Sequence, residues 1–334
     1  MIFLLLQQIL IPKWLDIPEG NLIREYYASN KDHDIIFIGD CEVFSTFSPV
    51  VLWEEFGITS FVRGSPQQLM WQSYYILRET LSYERPQIIV LSVLAMQYGE
   101  PQSEAYNRLT LDGMRISRHW FNAVRASMVC GEDIFSYFLP FFRYKDRWAE
   151  ININDFAFMF RRPQVSSNGF LINSNTVPWS GFAPTPMPRA TYEFGSLAVY
   201  YLNRITALAY DYNIPLVLVK APTIFPHWHN AWNEQIIAHA EKHNLIYVNL
   251  LEHDIGLDFT IHTFDAGYTL NVFGAELTTR FFGEILVNEF NLASRWHEPV
   301  ADDWHRKSEI YHRTIDIQLY ELERYGQIKT IFAN

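Results

Sequence analysis

A cysteine follows directly on the end of a hydrophobic stretch, in the segment Asp34-Ile-Ile-Phe-Ile-Gly-Asp-Cys-Glu-Val43. Residues 35–38 are continuously apolar, which predicts a strand buried on both faces of a parallel sheet. Gly39 and Asp40 end this strand and place Cys41 at its carboxyl end. Ligands of open α/β sheets gather at that edge. The thiol is therefore a candidate covalent nucleophile.

The elements that must position Cys41 alternate between short apolar runs and helical patterns. Four further strands are predicted at 58–62, 87–93, 215–219 and 245–250. Helices are predicted at 48–57, 65–81, 193–212, 228–243 and 272–290, and the helix at 65–81 begins with a Ser65 capping box. The alternation predicts an α/β protein with a three-layer, doubly wound parallel sheet of about five strands, similar to flavodoxin.

Three regions follow from this order. Residues 1–24 form an apolar N-terminal segment, which is either the tail of a membrane anchor or a short hydrophobic segment packed on the domain. Residues 25–295 form the α/β domain. It is interrupted at about 97–190 by a helical and loop insertion above the strand ends, a candidate lid or substrate platform. Residues 296–334 form a peripheral C-terminal tail with a helix at 304–325.

Composition limits the classes of partner. The chain has 334 residues, of which 49% are hydrophobic and 19% are charged, as in a globular protein. The net charge of -11 excludes a surface that follows nucleic-acid phosphates. Two cysteines, Cys41 and Cys130, are too few for a disulfide framework. No cofactor is expected, and the absence of Gly-x-Gly-x-x-Gly after the first strand argues against a dinucleotide-binding protein.

Gly39-Asp40-Cys41 resembles the opening block of the SGNH/GDSL hydrolase family, in which Gly-Asp-Ser supplies the serine that accepts the acyl group. The order of elements from residue 34 to about 290 is also similar to that family. It looks like the cell-envelope branch of DltD-like proteins and alginate acetyltransferases, which an N-terminal membrane helix often tethers. The resemblance implies an extracytoplasmic protein, membrane-anchored in a longer form, with a cytoplasmic location left open.

The same resemblance implies an oxyanion hole, whose donors stabilise charge on a tetrahedral intermediate. The backbone N–H of Cys41, Gly64 after the second strand, and Ser92 at the end of the third correspond to its three positions. Ser92 stands where the family has Asn. Gly64 is alternatively a turn glycine before a helix. Asp40 and Glu42 are expected to line the same binding site.

The last block of the family supplies an Asp and a His before the final helix. Asp265-Ala-Gly-Tyr-Thr-Leu-Asn-Val-Phe-Gly-Ala275 resembles it, with Asn271 as the expected binding residue. Thr269 stands at the expected His position. Asp265 precedes that position by four residues, whereas the family has three.

Three other histidines are alternative bases. His262 precedes Asp265 by three residues, and His227 and His229 follow the fourth predicted strand. The alternative for each is a surface or capping histidine. No metal site is expected, because the His-x-His pair lacks a third ligand at characteristic spacing.

Two functions remain open. The first is an ester hydrolase or O-acyltransferase for acylated cell-envelope carbohydrate, with Cys41 as the nucleophile. A thiol is more nucleophilic than a hydroxyl, and a helix N-terminus would lower its pKa, although Glu42 would raise it. The second is a non-catalytic relative that binds a glycan or an acyl-carrying partner in the same cleft. The sequence leaves the acyl group, the acceptor and the oligomeric state undetermined.

Overall fold

The central sheet has five parallel strands in the order β2-β1-β3-β4-β5. The computed structural model describes residues 9–11, 17–160, 163–181 and 191–333. The strands are β1 Ile35–Gly39, β2 Ser60–Gly64, β3 Ile88–Ser92, β4 Leu216–Lys220 and β5 Ile246–Asn249. This strand order is that of doubly wound, flavodoxin-like folds. The predicted fold class is confirmed.

Helices connect the strands and cover both faces of the sheet. The described α-helices are α1 Leu22–Glu25, α2 Cys41–Thr46, α3 Pro49–Phe56, α4 Met70–Thr80, α5 Glu104–Leu111, α6 Arg118–Ser127, α7 Phe135–Phe138, α8 Pro140–Tyr144, α9 Ile153–Phe160, α10 Ser196–Asp211, α11 Asn230–His243, α12 Val272–Phe290 and α13 Ala301–Tyr325. Helices α4 and α10 pack together over one face, and α3 and α12 pack together over the other. Strands β1 to β4 are buried along their whole length between these layers.

Capping signals set the ends of helix α3. The Ser48 Oγ accepts a hydrogen bond from the Val51 N–H at 3.4 Å, and Pro49 occupies the first turn. Gly57 ends the helix with φ of 69°, a left-handed conformation that glycine adopts without strain. The sequence predicted this helix and the bounds of α12 correctly.

The predicted capping box at Ser65 is wrong. Helix α4 begins at Met70, where Gln72 Oε1 accepts a hydrogen bond from the Leu69 N–H at 2.9 Å. Gln67 has φ of 52°, so the chain makes a turn there and does not continue as a helix. The Ser65 hydroxyl lies in this turn and contacts Gln68 Oε1 at 3.3 Å.

Strand β2 starts two residues later than predicted, because Ser60 pairs with Ile35 and Ile58 precedes the ladder.

The part of the predicted insertion around Asn168 and Leu171 packs against β2, the strand at one edge of the sheet, and against α2. Asn168 O accepts from the Val62 N–H at 2.9 Å, and the Leu171 N–H donates to Phe44 O at 2.9 Å. Backbone groups of the loop are therefore satisfied by the domain itself.

The C-terminal helix α13 covers α3. Trp304 stacks on Trp53 with ring centroids 5.7 Å apart, and Tyr311 is fully buried. At the other end of the chain, Ile9 and Leu10 are buried, while residues 1–8 and 12–16 of the predicted apolar segment lie outside the described residues. Within the part of the chain that the structure describes, no helix is both long and apolar enough to cross a membrane.

Candidate functional site

Cys41 is the first residue of helix α2, at the carboxyl edge of the sheet. Asp40 is the N-cap of this helix, and its carboxylate accepts a hydrogen bond from the Glu42 N–H at 3.1 Å. A side chain at Gly39 would lie 2.7 Å from Ser92 Cβ, so glycine allows β1 and β3 to end close together. Cys41 is partly buried and forms no disulfide.

A buried ion pair lies beneath Cys41. Glu42 Oε1 is 2.5 Å from Lys220 Nζ, and both side chains are almost completely buried. Glu42 also accepts hydrogen bonds from Thr223 Oγ1 at 3.0 Å, Ser92 Oγ at 3.1 Å and the Ala221 N–H at 3.3 Å. The pair thus joins α2 to the ends of β3 and β4. Glu42 was predicted to line a ligand-binding site. In the structure, its carboxylate is instead bound by groups of the protein itself.

The surroundings of Cys41 disfavour its thiolate. Burial raises the pKa of the Cys41 thiol well above its usual value, and the carboxyl groups of Asp40, Glu42 and Asp265 raise it further. Lys220 acts in the opposite direction but does not outweigh them. The thiol pKa is thus shifted in the direction expected from Glu42 and opposite to the one expected from the helix N-terminus. Burial and the neighbouring Glu42 also raise the pKa of Asp40 to about 8.

Asp265 and Thr269 form a tight local pair. Thr269 Oγ1 donates to Asp265 Oδ2 at 2.5 Å, and the Thr269 N–H donates to Asp265 Oδ1 at 2.7 Å. The Thr263 hydroxyl donates to Thr269 O at 2.8 Å and accepts from the Gly267 N–H at 2.8 Å, which closes the same loop. Thr269 therefore makes the hydrogen bond to Asp265 that a histidine at this position would make in a catalytic relay, while the carboxylate keeps lone pairs for further donors. Because Asp265 acts electrostatically on Cys41, the fold brings these two predicted residues to one edge.

The loop after β4 packs against the loop that carries Asp265. The Ile224 and Phe225 N–H groups donate to Gly267 O at 2.9 and 3.1 Å. The rings of Phe225 and Tyr268 are 5.1 Å apart. These contacts join the two loops next to the residue pair Asp265 and Thr269.

The candidate histidines have other surroundings. His262 Nδ1 accepts a hydrogen bond from the Asp258 N–H at 2.9 Å and thereby closes a local turn. His227 is exposed, with its ring 4.7 Å from that of His229, which also packs on Trp232 at 4.6 Å. Among the described residues, no histidine forms a hydrogen bond with Cys41 or Asp265, and no cluster of three or more potential ligands could hold a metal ion.

The other predicted site residues have structural roles. A Cβ at Gly64 would lie 2.6 Å from Val43 Cγ2, so close packing requires glycine there. The Ser92 hydroxyl donates to Glu42, and its proton is therefore directed away from a bound oxyanion. Asn271 is the fully buried N-cap of α12 and donates to Ile261 O at 2.7 Å. The Asn271 amide is used to fix the loop that carries Asp265.

Sequence reasoning missed Lys220 and Tyr98. Lys220 follows four apolar residues at the end of β4, a position that should have indicated an acidic partner at the same edge of the sheet. Tyr98 lies close enough to Asp40 and Cys41 for both to raise its pKa, after burial as the largest cause. The side chain of Gln67 acts in the opposite direction and lowers the pKa of Tyr98. No pattern in the sequence marked Tyr98.

No family profile and no curated protein matches this sequence. Among solved structures, the chain is similar to a protein from Desulfitobacterium hafniense DCB-2 that is described as lipolytic and of the G-D-S-L family. The two are 11% identical, with a TM-score of 0.38 over 76% of this chain and 99% of the other. A likeness at this level carries no conclusion about activity, and the fold stated above rests on the sheet itself.

Proposed function

We propose that the cleft at the carboxyl edge binds an O-acylated carbohydrate of the cell envelope and does not form an acyl intermediate on Cys41. The observation that carries this proposal is the 2.5 Å hydrogen bond from Thr269 Oγ1 to Asp265 Oδ2. It occupies the place at which an SGNH/GDSL-type enzyme would hold its histidine. The chain would then be a binding protein built on a hydrolase-like fold.

The missing base matters because a cysteine reacts as its thiolate. The raised pKa of Cys41 keeps the thiol protonated at neutral pH. A threonine hydroxyl is not basic at neutral pH, so Thr269 cannot remove that proton as an imidazole would. The groups near Cys41 therefore support ligand binding better than nucleophilic attack.

The carboxyl edge of the sheet offers groups that suit a neutral polyhydroxylated ligand. The Asp265 carboxylate can accept hydrogen bonds from hydroxyl groups. Tyr98 lies near Cys41, and Tyr268 is half exposed beside Phe225, so both rings combine an apolar face with a polar tip. The net charge of -11 disfavours a polyanionic ligand.

Acylation of Cys41 can be tested directly, because Cys130 is the other thiol of the chain. The Cys130→Ser variant leaves Cys41 as the single site, and it is exposed to p-nitrophenyl acetate and analysed by intact mass spectrometry. We expect no acetyl adduct, and complete alkylation of Cys41 by iodoacetamide after unfolding in urea. A stoichiometric adduct on Cys41 would overturn the proposal.

Binding is tested by calorimetric titration with an O-acetylated oligosaccharide and with the same oligosaccharide after deacetylation. We expect the acetylated form to bind more tightly, with an affinity unchanged in Cys41→Ala and reduced in Tyr268→Ala. If neither form binds, the cleft does not recognise acylated carbohydrate.

One observation favours a second function, an esterase or acyltransferase that uses Cys41. The thiol remains partly exposed at the first residue of a helix, with Asp265 nearby. This function predicts release of p-nitrophenol that is lost in Cys41→Ala. Unchanged background hydrolysis in that variant would exclude it.

A further inference from the structure

A cavity of about 580 Å³ lies beside β2, the strand at one edge of the sheet, and we call it the β2 cavity. It is lined by helix α1 and the residues that follow it, by Phe61 of β2, by the loop at 163–168 and by the first two turns of helix α13. None of its lining residues belongs to the Cys41 site. The volume is in the range of sites that bind small molecules.

The β2 cavity has more basic than acidic groups, although the chain as a whole is acidic. Its basic residues are Arg24, Arg306 and Lys307, and its acidic residues are Glu25 and Asp303. Asp303 Oδ2 lies 2.9 Å from Lys307 Nζ, and Asp303 Oδ1 contacts Arg306 Nη2. One carboxylate is thus shared by both cations of α13, so one positive charge of that helix is not compensated.

Arg24 has no counter-ion in the part of the chain that the structure describes. Asp112 is the carboxyl group that acts on it electrostatically, but the Asp112 oxygens are bound by Arg108 at 3.5 Å and by Tyr144 at 3.1 Å. The Arg24 side chain is partly buried, and this burial lowers the pKa of its guanidinium. A partly buried cation without a partner is destabilising, and an anion in the cavity would compensate it.

Glu25 is not the partner of these cations, because its carboxyl group is bound by the neighbouring loop. It accepts hydrogen bonds from the Val165 N–H at 2.5 Å and from the Ser166 hydroxyl. Burial raises the pKa of Glu25 to about 7, although these hydrogen bonds act against the increase. Near neutral pH the three cations therefore face two carboxyl groups, of which one is ionised only in part.

The rest of the lining suits a polar ligand. The amide side chains of Asn30, Gln164 and Asn168 line the β2 cavity. Gln164 Nε2 donates to Ser166 O at 2.8 Å, and Asn168 Nδ2 donates to Ser60 O at 3.1 Å. These bonds leave the two amide oxygens as acceptors for the hydroxyl groups of a ligand.

We propose that the β2 cavity binds a small hydroxylated molecule that carries a phosphate monoester, such as a sugar phosphate. The Arg24 guanidinium offers a fork of N–H groups that matches two phosphate oxygens. Lys307 adds a second cation near the start of α13, where the helix N-terminus is partly positive. A phosphate monoester has up to two negative charges and matches the excess of cations better than a carboxylate does. The inference is independent of the ligand proposed for the Cys41 site.

The test is calorimetric titration of the full chain with glucose 6-phosphate, with glucose and with inorganic phosphate at neutral pH. The test variants are Arg24→Gln and Lys307→Gln. Arg324→Gln is the matched control, because Arg324 is exposed on the same helix and lies about 26 Å from Lys307 at 1.5 Å per residue. Circular dichroism verifies that each variant is folded. Without ligand, Arg24→Gln should unfold at the same temperature as the wild type or a higher one, because Arg24 has no partner to lose.

We expect glucose 6-phosphate to bind more tightly than inorganic phosphate, and glucose not to bind. Arg24→Gln and Lys307→Gln should each weaken the binding of glucose 6-phosphate about tenfold or more, since each removes a charged donor. Arg324→Gln should bind as the wild type does. The proposal is overturned if glucose 6-phosphate does not bind, if inorganic phosphate binds equally well, if Arg24→Gln keeps the wild-type affinity, or if Arg324→Gln loses as much as Arg24→Gln.

Discussion

The buried pair of Glu42 and Lys220 yields a quantitative prediction about the support of the site. Replacing Lys220 by Met keeps most of the side-chain volume and removes the cation that lies 2.5 Å from Glu42 Oε1. Breaking one partner of a buried ion pair costs about 3–5 kcal/mol, because the other charge remains buried without compensation. Ser92, Thr223 and the Ala221 N–H still donate to Glu42, so we expect the lower end, about 3 kcal/mol.

The measurement is urea unfolding followed by tryptophan fluorescence, with an exposed ion pair of similar length as control. Arg280 Nε lies 2.7 Å from Glu55 Oε1, and both side chains are more than 40% exposed. Arg280→Met should cost about 0–1 kcal/mol, because water screens this pair. Adding Glu42→Gln to Lys220→Met should recover part of the loss, since no unpaired charge then remains. If Lys220→Met costs no more than Arg280→Met, the buried pair does not stabilise the site as argued.

Two further predictions concern Asp40 and Thr269. The pKa of Asp40 is raised from 3.8 to about 8, so the folded state keeps a proton that the unfolded chain loses. The contribution of Asp40 to stability therefore falls as pH rises from about 4 to about 8, and Asp40→Asn, which keeps the N-cap, should flatten that fall in thermal unfolding curves. An equally steep fall in the variant would contradict this assignment. Thr269→Val should lower the free energy of unfolding in urea titrations by about 1.5–3 kcal/mol, because it removes the hydroxyl that donates to Asp265. Thr269→Ser should keep that hydrogen bond and therefore most of the stability. Equal losses in both variants would refute the role of the hydroxyl.

Local signals in the sequence were sufficient to predict the five strands and the long helices that cover them. Continuous apolar runs predicted the five strands, and alternation with helices predicted a parallel sheet. Ser48, Pro49 and Gly57 predicted both ends of α3, because capping depends on residues adjacent in the chain. The capping box predicted at Ser65 is wrong. Its residues match the sequence pattern, but Gln67 adopts a left-handed conformation, so the chain makes a turn before the helix begins at Met70.

Local signals could not predict which residues from distant parts of the chain meet at the site. Lys220 and Glu42 are 178 residues apart in the sequence, and the sheet alone brings them within hydrogen-bonding distance. The pKa of the Cys41 thiol is raised first by burial, then by the neighbouring Asp40 and Glu42, and last by Asp265, which lies far along the chain. From the sequence, the helix N-terminus and the adjacent Glu42 acted on the thiol pKa in opposite directions, and the sequence alone did not decide between them.

The sequence by itself determined the fold class and the position of Cys41, because strand periodicity and the Gly39-Asp40 stop are local properties of the chain. It also placed Thr269 where a histidine would be expected. Only the tertiary structure decided what these residues can do. By placing the partly buried Cys41 near three carboxyl groups and engaging Asp265 with the Thr269 hydroxyl, the fold raises the pKa of the thiol through groups that meet across the sheet edge.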